Sequence, residues 1–511
     1  MSVSILSSLL AFLFLPALVV MPNIGVTLPN AAPPDPAAEA VRFATVSRQL
    51  DPGGVLYGYV SVDGDLTAIG GYLNSFMDEL RKVEPGVPPI NVPALLKITG
   101  LDAVSAVGFS SKRIGDGFRN KSYVHVPKGR KGLLRILAGE SKPFEVVKLA
   151  PAGTDVAIEQ DLNLKVAYEA IQEAMTSVMG EQGKTMVQGA VQEPMPPFPF
   201  TLEKILADMD TQVTIIVDAN PAKMVAVPDA EGLEIPQMTA AILIDGLGWI
   251  ADDVVKSLEP MLAQGGDRVP PFKVVREANW VGLQLSIEAA GFGREEKEIL
   301  NIFGGQSPLL AHHRPSGKLI LATGKEFADK LFAPKPDLAK DPVFQKTMKG
   351  LPMEGTGLSY FSPATFRILR QVFEKANDLE NPKEKEYKQD DRLMATTFIN
   401  LFLPKNARGE GSVTTNTKDG MLTVSNSAHS QKTTVLMGGV APLALIPAMA
   451  AMGMFGLVYN LVRADSNRLR YAVAGGIAAA LLLTVVANLE GVLEFMRANG
   501  MGPSGFWDWV S

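Results

Sequence analysis

Gly357-Leu-Ser-Tyr-Phe-Ser-Pro-Ala-Thr-Phe366 reads as a strand that turns directly into a helix. Residues 357–361 suit a buried strand. Ser362 is a good N-cap, and Pro363 fits the first helical position, where no backbone donor is needed. Beyond it, Phe366, Leu369, Val372, Phe373 and Ala376 recur at spacings of three, four and seven, the stripe of a helix facing a core. The same plan occurs three more times. Residues 55–62 precede a helix carrying Leu66, Ile69, Leu73, Phe76, Met77 and Leu80. Residues 240–244 precede Ile250, Val254, Leu258 and Met261. Residues 318–322, with Thr323 as candidate cap, precede Phe327, Leu331 and Phe332.

Between these units lie apolar or alternating runs at 103–109, 121–126, 213–217, 281–287, 395–402 and 412–424, the last with a hairpin turn at Asp419-Gly420. Strands and helices mixed in this way, with many hairpin-like pairs, predict an α+β fold with largely antiparallel sheets. The uneven spacing of the four units argues against a tandem solenoid. Pro194-Met-Pro-Pro-Phe-Pro199 places four prolines in six residues. Such a run can continue neither a helix nor a central strand, so it is expected to separate one α+β domain at 40–193 from a larger one at 200–430.

The ends of the chain set its expected address. Residues 433–462 hold no charge, Arg463, Arg468 and Arg470 crowd a short loop, and 471–489 are again charge-free. Two apolar runs of bilayer-spanning length around a basic loop predict a C-terminal two-helix transmembrane hairpin with a cytoplasmic tip. The tail at 490–511 carries Phe506, Trp507 and Trp509, as expected at a membrane–water interface. At the other end, 1–28 is apolar and precedes a Pro/Ala-rich stretch, but no basic residue occurs before Arg42. It is a signal peptide or an N-terminal anchor; both readings stay open. On this topology the two α+β domains lie outside the cytoplasm.

Composition excludes more than it identifies. The absence of cysteine removes disulfides, thiolate metal sites and cysteine nucleophiles. A net charge of −6 argues against a general nucleic-acid binder. Gly183-Lys184-Thr185 lacks the first glycine of a phosphate loop and follows an expected helix rather than a strand. Gly246-x-Gly248 is half of a dinucleotide fingerprint, but Asp245, Asp252 and Asp253 around it would repel a pyrophosphate. His312 and His313 point to opposite sides of an extended chain, so they do not share a metal. Asp63-Gly64-Asp65 lacks the rest of a calcium loop, and no Gly-x-Ser-x-Gly elbow exists. No catalytic, cofactor-binding or metal-binding residue is assigned, and no cofactor is implied.

One charge anomaly stands out. Lys112, Arg113, Arg119, Lys121, Lys128, Arg130, Lys131 and Arg135 face a single acid, Asp116, with Phe118, Tyr123 and His125 interleaved. Around Gly115-Asp116-Gly117 this reads as a basic hairpin. Its first seven cations are the candidate site for an anionic partner: a lipid head group, a glycan or an acidic envelope protein. The plainer reading is a solvated hairpin.

The stretch 318–361 carries a resemblance. Leu319-Ile-Leu-Ala-Thr-Gly-Lys-Glu-Phe327, Asp341-Pro-Val-Phe-Gln345, Gly350-Leu-Pro352 and Gly357-Leu-Ser-Tyr-Phe-Ser-Pro363 together resemble uncharacterised bacterial envelope proteins built on a domain of unknown function. The resemblance covers about a tenth of the chain and implies a setting, exported and held at the bacterial cytoplasmic membrane, but no activity. Three functional classes are compatible with the sequence: a membrane-anchored binding or structural protein, a cryptic extracytoplasmic hydrolase, and a carrier of apolar ligands.

Overall fold

The computed structural model describes residues 35–83, 91–195, 198–208, 210–228, 232–264, 271–288, 290–379, 400, 403, 405 and 408–433. The N-terminal segment 1–28, the runs 434–462 and 471–489, the tail 490–511 and, apart from Asn400, the expected strand at 395–402 lie outside the described residues. Among the described residues no helix is long and apolar enough to cross a membrane.

In chain order the elements begin with α1 (Pro36–Ser47), β1 (Leu56–Ser61), α2 (Asp65–Val83), α3 (Val92–Thr99), β2 (Ala106–Ile114), β3 (Gly117–His125), β4 (Lys142–Pro143) and α4 (Val146–Leu149). Next come β5 (Val156–Asn163), α5 (Leu164–Met179), α6 (Glu181–Gln192), α7 (Leu202–Asp208), β6 (Asp210–Ala226), β7 (Glu234–Ile244), α8 (Gly248–Gln264), β8 (Phe272–Arg276) and β9 (Trp280–Leu285). Last are α9 (Arg294–Ile302), β10 (Leu309–His313), β11 (Lys318–Ala322), α10 (Lys325–Phe332), α11 (Pro342–Thr347), β12 (Glu354–Gly355), β13 (Gly357–Phe361), α12 (Pro363–Leu379), β14 (Glu410–Thr417) and β15 (Gly420–Ser427).

Among the described residues thirteen strands form one sheet in the order β1-β2-β3-β15-β14-β13-β5-β6-β7-β11-β10-β9-β8, and every neighbouring pair is antiparallel. The class is therefore mixed α+β with a large antiparallel sheet. All four strand–helix units of the sequence are present, as β1–α2, β7–α8, β11–α10 and β13–α12. The sheet also runs across the proline-rich segment: β5 before it pairs with β6 after it, from Val156↔Val217 to Asn163↔Asp210.

Ser362 caps α12 as its sequence suggests. Its Oγ accepts from the backbone N–H of Ala364 at 3.1 Å and of Thr365 at 3.3 Å, and it donates to the buried Asp155 carboxylate. Thr323 does not cap α10. Its hydroxyl accepts the backbone N–H of Ala240 at 3.1 Å, and Gly324 takes the cap position. The neighbouring strand offers a donor that the sequence alone does not reveal. The stripe on α12 is only partly covered, since Leu369 is 41% and Phe373 49% exposed.

Strand alternation explains how helices cover both faces of the sheet. On β11, Ile320 joins the main core with Phe327, Ala328 and Leu331 of α10, whereas Leu319 packs with Leu247 and Ala251 at the start of α8. On β9, Trp280 faces the main core and Val281 packs with Val254, Val255 and Leu258 of α8. Near β1 to β3, a smaller cluster places Val46 and Leu50 against Ala106 and Tyr123. A groove is left where the β2–β3 hairpin tip meets α11 and the last residues of β15.

Candidate anion-binding groove

The hairpin forms as its sequence suggests. β2 and β3 pair from Ala106↔His125 to Ile114↔Gly117, and the turn is Gly115-Asp116. Eight residue steps separate its base from its tip, roughly 27 Å. The seven candidate cations are therefore distributed along its length. Lys112 and Arg113 are exposed near the tip, with the Arg113 guanidinium 5.2 Å above the Phe118 ring. Arg119 lies on the tip side of β3. Lys121 is engaged by Asp51 at 2.7 Å.

Lys128, Arg130 and Lys131 lie past the base, so they do not share a site with the tip. Lys128 and Lys131 are exposed. Arg130 is half-buried and donates to the carbonyls of Thr417 at 3.2 Å and Gly420 at 2.6 Å, bracing the β14–β15 turn. Burial pulls its pKa below the ordinary arginine value. This side chain serves the fold.

The tip borders a groove of about 980 Å³ whose lining includes Ile114, Asp116, Phe118, Arg119, Val343, Lys346, Lys349, Arg408 and Asn426. The volume is that of an ordinary ligand site. Arg119 organises one wall: its Nε donates to Asn426 Oδ1 at 3.1 Å and its Nη2 to the Lys349 carbonyl at 2.6 Å. Asn426 Nδ2 in turn donates to the carbonyls of Thr347 at 2.8 Å and Lys349 at 3.1 Å. These bonds fasten the chain after α11 to the sheet. Gly350 has φ +74° beside the Arg119 guanidinium, and a Cβ there would press on that group.

The charge of the groove is lopsided. Among the described residues Arg119, Lys346, Lys349 and Arg408 line it, against the single acid Asp116, which Arg408 pairs. Lys346 and Lys349 are exposed, and their ammonium groups have no partner among the described residues. Sequence reasoning found Arg119 but missed Lys346, Lys349 and Arg408. These lie more than 200 residues away in the chain and form no local charge run; the fold alone joins them.

A second polar cluster sits inside the sheet. Glu159, 1% exposed, accepts from the Val146 N–H at 2.5 Å and from Gln212 Nε2 at 2.6 Å. Burial pushes its pKa up to about 7, against the lowering effect of the Val146 and Glu145 backbone donors. Asp161 pairs with Lys142 at 3.1 Å, and burial raises its pKa. The Lys318 side chain is 6% exposed and sits between Asp245 and Glu145, the latter at 3.1 Å. Burial pulls Lys318 down, but the two carboxylates outweigh it and hold its pKa above the ordinary lysine value. A carboxyl poised near neutrality is a signature of acid–base sites. Here both Glu159 oxygens are held by the protein's own donors, an arrangement that braces the strands.

The remaining motifs fall into structural positions. Lys184 is within α6. Gly246 has φ +72° in the turn before α8, and a Cβ on Gly248 would overlap the His312 ring, so packing requires that glycine. His312 Nδ1 meets Asp252 at 2.7 Å, on the α8 side, while His313 stacks on Phe332 of α10 at 3.7 Å between centroids. Among the described residues no group of three acidic or histidine side chains is placed to hold a metal ion. No known protein family, curated protein or solved structure matches the chain.

Proposed function

We propose that this chain is a membrane-anchored protein of the bacterial cell envelope, with its α+β portion outside the cytoplasm, that acts by binding an anionic component rather than by catalysis. The observation that carries this reading is the pair of ammonium groups, Lys346 and Lys349, that have no partner among the described residues and stand beside Arg119 in a groove whose one described acid is neutralised by Arg408. The charge-free runs at 433–462 and 471–489 supply the anchor. Among the described residues of the groove, a hydrolase that uses two carboxylates finds only Asp116, and that group is already paired.

The test uses the full chain in phosphatidylcholine vesicles, with fluorescent dextran sulfate as an anionic probe. Lys346→Glu with Lys349→Glu should weaken binding about tenfold or more in low salt, and the wild-type affinity should fall steeply as salt is added. Both side chains are exposed, so the fold is expected to survive. Equal binding by the double variant sinks the groove. A full chain that stays in the supernatant after detergent-free ultracentrifugation sinks the anchor.

A further inference from the structure

Apolar side chains line the groove together with its cations. Ile114, 37% exposed, and Val343, 44% exposed, line it together with Phe118. An anionic glycan would use only the cations. A phosphate head joined to methylenes would use both.

The position of the groove in the chain adds a second observation. Ser427, in its wall, is six residues before Thr433, where the charge-free run begins. Six residues reach at most roughly 20 Å. The chain between the groove wall and the proposed anchor is therefore short.

From this charge and this tether we infer that the groove takes an anionic phospholipid of the chain's own membrane. Its phosphate head sits among Arg119, Lys346 and Lys349, and its first acyl methylenes lie on Ile114, Phe118 and Val343. The inference rests on the binding function proposed above and names the ligand. Lys349 contributes to the fold through its carbonyl, which accepts from Arg119 and Asn426. Its side chain is thereby left to the ligand.

The experiment reconstitutes the full chain in phosphatidylcholine vesicles with a trace of phosphatidylglycerol carrying a photoreactive diazirine on its first acyl carbons. Labelled peptides are then mapped by mass spectrometry. Label is expected on 114–118 and 342–350. Lys346→Glu with Lys349→Glu should cut it roughly 25-fold, at about fivefold per cation removed. Lys346→Arg with Lys349→Arg should retain it. Free glycerol phosphate at equal concentration should not displace the lipid, because each buried methylene multiplies affinity by roughly fourfold.

Equal labelling by a diazirine phosphatidylcholine, or full displacement by glycerol phosphate, overturns the assignment. If the groove stays unlabelled while dextran sulfate binding still depends on Lys346 and Lys349, the lipid falls and the binding function stands. If neither probe depends on them, both fall.

Discussion

Asp245→Ala is expected to destabilise the protein by about 2–3 kcal/mol, whereas Lys318→Met at the same ion pair should change stability by less than about 1 kcal/mol. The asymmetry comes from where the charge is buried. The Lys318 side chain is 6% exposed, while those of Asp245 and Glu145 are 34% and 55% exposed. Removing Asp245 strands an ammonium group in the sheet with one partner. Removing the ammonium leaves two carboxylates that water can reach. The cost is set below the roughly 3–5 kcal/mol of a wholly buried pair because Asp245 is a third exposed. Chemical denaturation of the detergent-solubilised full chain measures both variants, and a larger loss in Lys318→Met than in Asp245→Ala would refute this account.

Glu159 should make stability fall as pH rises from about 4.5 to 7. Its folded pKa is raised to about 7 from the ordinary 4.5, so the native state binds the proton more tightly than the unfolded chain. The resulting stabilisation is fully present below about 4.5 and is lost as pH climbs through 7. The change is at most about 3 kcal/mol, at 1.36 kcal/mol per pKa unit. Glu159→Gln removes the titrating group and should flatten this part of the profile. The Gln212 amide can rotate to accept from the new side chain. The readout is the global unfolding free energy, because the Val146 N–H bond to Glu159 itself strengthens on ionisation. In the wild type the fall in stability between pH 5 and pH 7.5 should exceed that in Glu159→Gln. Equal profiles for the two proteins would mean that Glu159 is ionised throughout.

The strand–helix units were legible because each is local. A run such as 318–322 and the stripe Phe327, Leu331 on α10 lie within about fifteen residues of each other, and period-2 and period-3.6 signals identify them. The Asp419-Gly420 turn and the basic hairpin were legible for the same reason. The sheet order was not. Four prolines in the segment from Pro194 imply a break in secondary structure, but they do not say whether the strands on either side find each other. The extent of β6 was also missed: its apolar centre at 213–217 was visible, while Gln212 and Asp218 carry no strand signal. The groove depends on residues from the hairpin, from α11 and beyond, and from β15, so no window of the sequence contains it.

The pairing of β3 with β15 sets the pace at which this molecule can be made. His125 meets Gly420, about 300 residues later, and the three N-terminal strands present an open border until that partner exists. At translation speeds of roughly 5–20 residues per second, the nascent chain waits on the order of 15–60 s with this border unsatisfied. Synthesis of β15 is thus the event that closes the left half of the sheet and, with Asn426 and Ser427, completes the groove. A ribosome stalled before residue 410 would leave a chain prone to aggregate by edge pairing, and a holding chaperone would be needed most during that interval.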